Sequence, residues 1–491
     1  MILRKIISFS IVLNLITGST ASVNAQMANY LTSRQVSYLE IETINRQILA
    51  KEIELFKLNT FFRVENGRDR PGKKLRIMFY QNANYFLTFS GLLVNVIYNF
   101  VYWKKLRENK YGPLLPGEIR HIYTLIQLAA TLPRFVGKGI LISGTAFEAT
   151  LEAMDKNSEK KRGFNIHTVD GKVVHLKDEI DTLLAKRQRL LAGGFDLSDK
   201  EKEIANLDSN LMKEGEDLAL TEYVNLHARS VYRTLYNRSE NSLTLAKKLD
   251  GEFGSDLIRI VSACIHDDYL NPISSTSTTI SGSMSALNPL AELAIAHWGK
   301  NKAKKSIAEK LNQKQIDLTS RFDQDTAKFN TLLAQTNEND EPYLVPLAKV
   351  RSELYKQEAG VYNDMQFIDS NEAKAQRRHQ IHSIIMHQIY GWSKASRGMF
   401  LIYVGYHFIQ SPRFSTLLTG EAGIINLAGA SIRLADTFHT DAIEFLKRKE
   451  IAAKKTVTGT ILQGRLSTLD SMEDNVKASS NLPRLKNVPG T

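Results

Sequence analysis

Apolar and polar positions follow two different rhythms along this chain, and the change of rhythm divides it into blocks. From Gln35 to Glu65, Val36, Leu39, Ile41, Ile44, Ile48, Leu49, Ile53, Phe56 and Leu58 recur at three- and four-residue steps with charged residues between them. That spacing predicts an amphipathic helix. Asn66 to Gly72 ends it with turn chemistry. The next stretch, Ile77 to Trp103, holds no charged residue at all, and its length suffices for one helical crossing of a bilayer, which takes about 20 apolar residues. Gln81, Asn82, Asn84, Asn95 and Asn99 interrupt it. An amide facing lipid without a partner is costly, so these five must face protein, water or each other. Two readings stand: a polar-studded membrane helix, or the buried helix of a water-soluble core. Tyr98, Tyr102 and Trp103 close the stretch and are its candidate membrane contacts, because amphipathic rings suit a lipid–water boundary.

A second apolar segment, Ile122 to Ala153, is expected to break at Pro133 and Arg134. Its Gly137, Gly139, Gly144 and Ala146 would let it approach the first closely. From Val173 the rhythm becomes heptad: Val173, Leu176, Ile180, Leu183 and Leu190, a glycine turn at Gly193 and Gly194, a capping box from Ser198 and Glu201, then Ile204, Leu207, Leu211 and Leu218. Residues 163–222 therefore read as an antiparallel coiled-coil hairpin. The central block, 223–299, contains the low-complexity run Ser274 to Ser283, either a loop or a close helix contact, and Asn288-Pro289 is expected to begin the helix ending at Trp298. Residues 300–370 repeat the hairpin, with Ile307, Leu311, Leu318, Phe322, Phe329 and Leu332 leading out and Leu347, Val350, Leu354, Val361, Met365 and Ile368 returning. A third apolar block, 371–450, carries Gly398, Gly405, Gly420, Gly423 and Gly429, and the polar tail 451–491 is expected to fray. Pro-Arg-Phe occurs at 133–135 and again at 412–414, which raises a duplication. The fold class is all-α: an elongated helical assembly of apolar, glycine-containing blocks alternating with two antiparallel coiled-coil hairpins.

The first residues change the compartment. Arg4 and Lys5, the apolar Ile6 to Ile16 and the small-residue site Val23-Asn24-Ala25 make residues 1–25 a Sec-type signal peptide, leaving 26–154 as the first block of an exported chain. Its loss lowers the net charge from +12 by two to +10. In an exported protein that excess favours anionic lipid or an envelope polymer over nucleic acid, and interspersed acids weaken any duplex-binding reading. One cysteine, Cys264, permits no internal disulfide and reads as a buried small hydrophobe.

Catalytic motifs are absent: no phosphate loop, no His-Glu-x-x-His, no paired cysteines and no Gly-x-Ser-x-Gly. No cofactor is implied. The candidate metal ligands are His379 and His382, which share a helix face and would need a third ligand from elsewhere; His387 is rotated away. The expectation is an exported, membrane-associated scaffold of the periplasm or cell envelope, meeting lipid through its apolar blocks and protein partners through its hairpins. The alternatives are a pore-forming, toxin-like protein and an enzyme with an unfamiliar helical site.

Overall fold

Helical periodicity is realised almost everywhere, and no strand occurs among the described residues. The computed structural model describes residues 33–479 except 68–71, 109–115, 164, 194–197, 266–269, 314–317, 337–343, 408–411 and 453–456. The expected signal peptide lies outside them. In chain order the helices are α1 (Ser33–Gly67), α2 (Lys73–Arg107), α3 (Pro116–Arg162), α4 (Ile166–Ala192), α5 (Asp199–Ala246), a π-helical turn (Lys247–Phe253), α6 (Gly254–Ile265), α7 (Leu270–Lys310), α8 (Leu318–Gln335), α9 (Leu344–His407), α10 (Pro412–Ala452) and α11 (Val457–Ser479).

One half is built as water-soluble proteins are. Helices α1, α4, α8 and α11, with the first halves of α5 and α9, enclose a core that includes Ile48, Phe56, Val173, Ile180, Tyr223, Phe322 and Tyr355. The capping box opens α5 as expected: Ser198 Oγ accepts from the Glu201 amide, and the Glu201 carboxylate accepts from the Ser198 amide at 2.8 Å. Most expected heptad positions are buried, including Val173, Leu176, Ile180, Ile204, Leu211, Phe322 and Leu354. Their partners are more numerous than two-stranded hairpins would supply. Helix α4 lies chiefly on α1, and α8 meets both α5 and α9. Between Glu201 and Ala228, α5 buries residues on every side, so no single neighbour could cover it. Val350 faces solvent.

The tail expected to fray is, over Val457–Ser479, a docked helix. Leu469, Met472 and Val476 enter the core, and Arg465 is fully buried, donating twice to Glu222 at 2.7 Å and once to Thr60 Oγ1 at 2.8 Å. One buried guanidinium with a bidentate carboxylate outweighs a polar composition.

The other half comprises α2, α3, α6, α7, α10 and the second half of α9. Its helices touch through small residues. A Cβ on Gly282 would overlap the Ala395 backbone, one on Gly391 the Ala286 backbone, and one on Gly398 the Thr279 backbone. The Ser274 to Ser283 run is thus the close helix contact, not the loop, and its hydroxyls bond inward: Ser255 Oγ lies 2.8 Å from Thr278 Oγ1, and Ser285 donates to the Ser281 carbonyl at 2.8 Å. Two expected breaks do not occur. Helix α3 continues through Pro133 and α7 through Pro289, so Asn288-Pro289 begins no helix. Near each proline a side chain attends the backbone: Arg134 Nε donates to the Ala130 carbonyl at 3.0 Å, and Gln388 Nε2 to the Ala286 carbonyl at 2.9 Å. The two Pro-Arg-Phe triplets sit differently, inside α3 and at the start of α10.

Candidate functional site

The two faces of α2 explain its mixed composition. Asn84, Thr88, Gly91, Asn95 and Asn99 recur at three- and four-residue steps and are buried, whereas Phe79 (64% exposed), Phe86, Leu93 and Ile97 point outward. Of the five interrupting amides, Asn84, Asn95 and Asn99 turn away from the outer face and Asn82 lies beside a partner; Asn82 Nδ2 donates to Asp441 Oδ2 at 2.7 Å, and Asn99 Nδ2 to the Asn95 carbonyl at 2.6 Å. Helix α7 repeats the scheme, with Ser274, Ser281, Ser285 and Ala286 inward and Ile273, Ile280, Leu287 and Trp298 (67% exposed) outward. Helices α9 and α10 expose Ile385, Trp392, Phe400, Ile424, Ile432 and Phe438. Two helical segments, Leu75–Arg107 and Thr124–Met154, are long and apolar enough to cross a membrane, and only 33% of each apolar window is buried. Helix α2 is therefore buried along one face and exposed along the other.

Beneath this apolar surface lies a charged interior. Glu252 of the π-helical turn meets Lys248 at 2.5 Å and Lys394 of α9 at 2.7 Å, and all three are buried. Lys394 also donates to Ser281 Oγ at 2.7 Å. Asp256 of α6 pairs with Lys138 of α3 and, at 3.5 Å, with Arg134. Arg134 is held by Thr131 Oγ1 at 2.9 Å, and Arg259 by Thr278 Oγ1 at 3.1 Å. Arg397, buried on α9 among Arg134, Arg259 and Asp256, leaves its Nε without a hydrogen bond. None of these residues is marked out by a sequence motif. The only available signal was charge placed within the small-residue stripes of apolar blocks.

The residues singled out from sequence are separated. Tyr98 faces outward, half exposed at 54%, but Tyr102 is buried with Leu106 and Ile126 where α3 crosses the end of α2, which removes it as a lipid contact. Trp103 is half-buried, with the Arg107 guanidinium 5.5 Å from its ring centre. His379 is exposed on α9, while His382 Nε2 lies 2.5 Å from Asp436 Oδ1 of α10. His387 turns inward, with Nδ1 2.8 Å from the Ser383 carbonyl and Nε2 3.4 Å from Arg433. Among the described residues no group of three His, Cys, Asp or Glu side chains could hold a metal ion. Cys264 is exposed and not the buried hydrophobe its apolar neighbours suggested, because Ser262 and Ala263 take the inward positions.

A second ionic set lies in the water-soluble half. Glu52 of α1 and Glu358 of α9 are fully buried beside each other around Gly215 of α5, where a Cβ would come within 3.0 Å of Glu358 Oε2. Burial pushes the Glu358 carboxyl up to about 8, and burial followed by the charges of Glu358 and Glu216 raises Glu52. Burial also lifts Glu216 to about 7 despite Lys213 at 2.6 Å. Asp208 behaves oppositely: burial favours its neutral form, but Arg351 and Arg187, at 3.1 and 2.7 Å, outweigh burial and hold it below the usual carboxylate range. These sets join α1, α4, α5 and α9.

No family model, curated protein or solved structure matches the chain.

Proposed function

We propose that the chain is a membrane protein of the cell envelope. Helices α2, α3, α6, α7, α10 and the second half of α9 stand in the bilayer, and the remaining helices form a head in water that serves as a scaffold for protein partners. The observation that carries this reading is the inversion between the halves. The head hides its apolar side chains in one core, whereas the other half hides Glu252, Asp256 and Lys394 and presents Phe79, Phe86, Ile280, Leu287, Ile424 and Ile432 outward. Water penalises an apolar surface of that extent, and lipid does not. The small-residue contacts of α7 with α9 are the kind that hold helices together where lipid competes equally for apolar side chains.

Export to the envelope is supported by the basic, apolar and small-residue regions of residues 1–25. An intact mass beginning at Gln26 is the expected product, and retention of residues 1–25 contradicts export by cleavage. The membrane reading predicts that the purified chain stays monodisperse only in detergent. A lipid-free, monodisperse monomer in plain buffer overturns it.

A further inference from the structure

The charges inside the apolar half do not balance. Among the described residues, seven cations are buried there (Arg134 and Lys138; Lys247, Lys248 and Arg259; Lys394 and Arg397) against four carboxylates, Glu148, Glu252, Asp256 and Glu292. Pairing consumes three of those acids: Glu148 holds Arg76, Glu252 holds Lys248 and Lys394, and Asp256 holds Lys138 and Arg134. Arg397 has no such claim. It is 2% exposed, its Nε makes no hydrogen bond, and the charges acting on it are Arg134, Arg259 and the already shared Asp256. A buried ion without compensation costs several kcal/mol. Three guanidiniums gathered away from water call for a negative group among them.

Resting on the membrane reading above, we propose that Arg397, Arg134 and Arg259 form a binding site for a small water-soluble oxyanion of the phosphate or sulfate class. The planar fork of a guanidinium matches paired oxygens, and hydrogen bonds to a charged acceptor are the strong ones. Thr131 and Thr278 hold Arg134 and Arg259 in place before any ligand arrives. Lys138, 6% exposed beside Asp256, adds positive charge at the edge.

Position separates a soluble anion from a lipid headgroup. Gly91 lies midway between Leu75 and Arg107 and packs against Ala130 and Arg134. On the far side, Gly429 of α10 meets Ser393 of α9, one turn from Arg397, and Gly423 meets Val96 of α2. The arginines therefore sit at mid-height of the apolar bundle. A bilayer with a hydrocarbon core about 30 Å thick keeps lipid phosphates about 15 Å away from that level.

The test uses the full chain purified in detergent. Its unfolding midpoint is followed against sodium phosphate, sodium sulfate, sodium chloride at matched ionic strength, and phosphatidylglycerol added to the micelles. A saturable rise with phosphate or sulfate is expected, absent with chloride. Its affinity falls more than about tenfold, 1.4 kcal/mol, in Arg397→Gln and in Arg397→Lys, the second of which keeps the charge and loses the fork. No saturable response, an equal response to chloride, or an unchanged response in both variants overturns the site. A response to phosphatidylglycerol alone also overturns it, by making the ligand a lipid. Alkaline extraction of membranes reports separately on the membrane reading: a chain that resists extraction yet ignores oxyanions loses only the site.

Discussion

Lys394 of α9 and Glu252 of the π-helical turn form a buried ion pair 2.7 Å long, and each sits within a few per cent of complete burial. Glu252 also serves Lys248 at 2.5 Å, and Lys138 Nζ donates to its backbone carbonyl at 3.2 Å. The acid is thus the hub and Lys394 a spoke. Removing one member of a buried pair costs about 3–5 kcal/mol because the other is left uncompensated. Glu252→Gln is expected to destabilise the chain by that amount in a detergent-based denaturant titration. Lys394→Met should cost less, since Lys248 still neutralises the acid. Equal costs would show that Glu252 is not the hub.

Arg465 is the corresponding anchor of the head. Arg465→Ala strands Glu222, whose pairing is bidentate at 2.7 Å, and is expected to lose about 3–5 kcal/mol and detach α11. Proteolysis between α10 and α11 should accelerate in the variant. The double change Arg465→Met with Glu222→Gln removes both charges and should recover much of the loss. A double variant as unstable as the single one would contradict the account.

Close packing of α7 on α9 gives a paired comparison. A methyl at Gly391 would overlap the Ala286 backbone, whereas one at Gly139 meets nothing within 4 Å. Gly391→Ala is expected to cost about 1–3 kcal/mol as the helices are pushed apart. Gly139→Ala should be neutral or stabilising by up to about 1 kcal/mol, from helix propensity alone. Matched unfolding midpoints measure both, and a reversed order would refute the contact.

The Glu52–Glu358 pair sets a pH dependence. Burial raises Glu358 from an ordinary value of 4.5 to about 8, Glu52 moves the same way, and Glu214 and Glu216 rise to about 7. The folded head therefore binds more protons than the unfolded chain between these limits. Its stability is full below about pH 4.5 for these groups and declines as pH rises through 7 to 8. Asp208, held low by Arg351 and Arg187 despite its burial, loses its contribution only in acid, below the ordinary aspartate value of 3.8. The unfolding midpoint should fall between pH 5 and 8, and Glu358→Gln should flatten that fall. A midpoint that climbs over this interval excludes the buried pair as its determinant.

Local signals were readable where one element settles its own state. The capping box at Ser198 and Glu201, the heptad positions of α4 and the inward turn of Asn84, Asn95 and Asn99 on α2 all follow from spacing. What depends on neighbours was not. Pro133 and Pro289 carry the code of a break, yet each lies inside a continuous helix packed among its neighbours. The heptads of α4 and α5 specify a buried stripe without naming its partner, which is largely α1 for α4. Helix α11 is polar in composition, and its docking rests on Arg465 reaching a carboxylate 243 residues away in sequence. The charged interior escaped for the same reason: Arg134, Glu252, Asp256 and Arg397 are scattered over α3, the π-helical turn, α6 and α9, and only assembly brings them together.

Extraction of membranes decides the central claim. Cells making the full chain are broken, and the membrane fraction is washed with high salt and then with alkaline carbonate, which strips proteins held by surface charge or by other proteins. The inverted arrangement of α2, α3, α7, α9 and α10 predicts that the chain stays in the pellet through both washes and leaves it only in detergent. Release into the carbonate supernatant would contradict it and return Phe79, Ile280 and Trp298 to the role of a surface covered by protein.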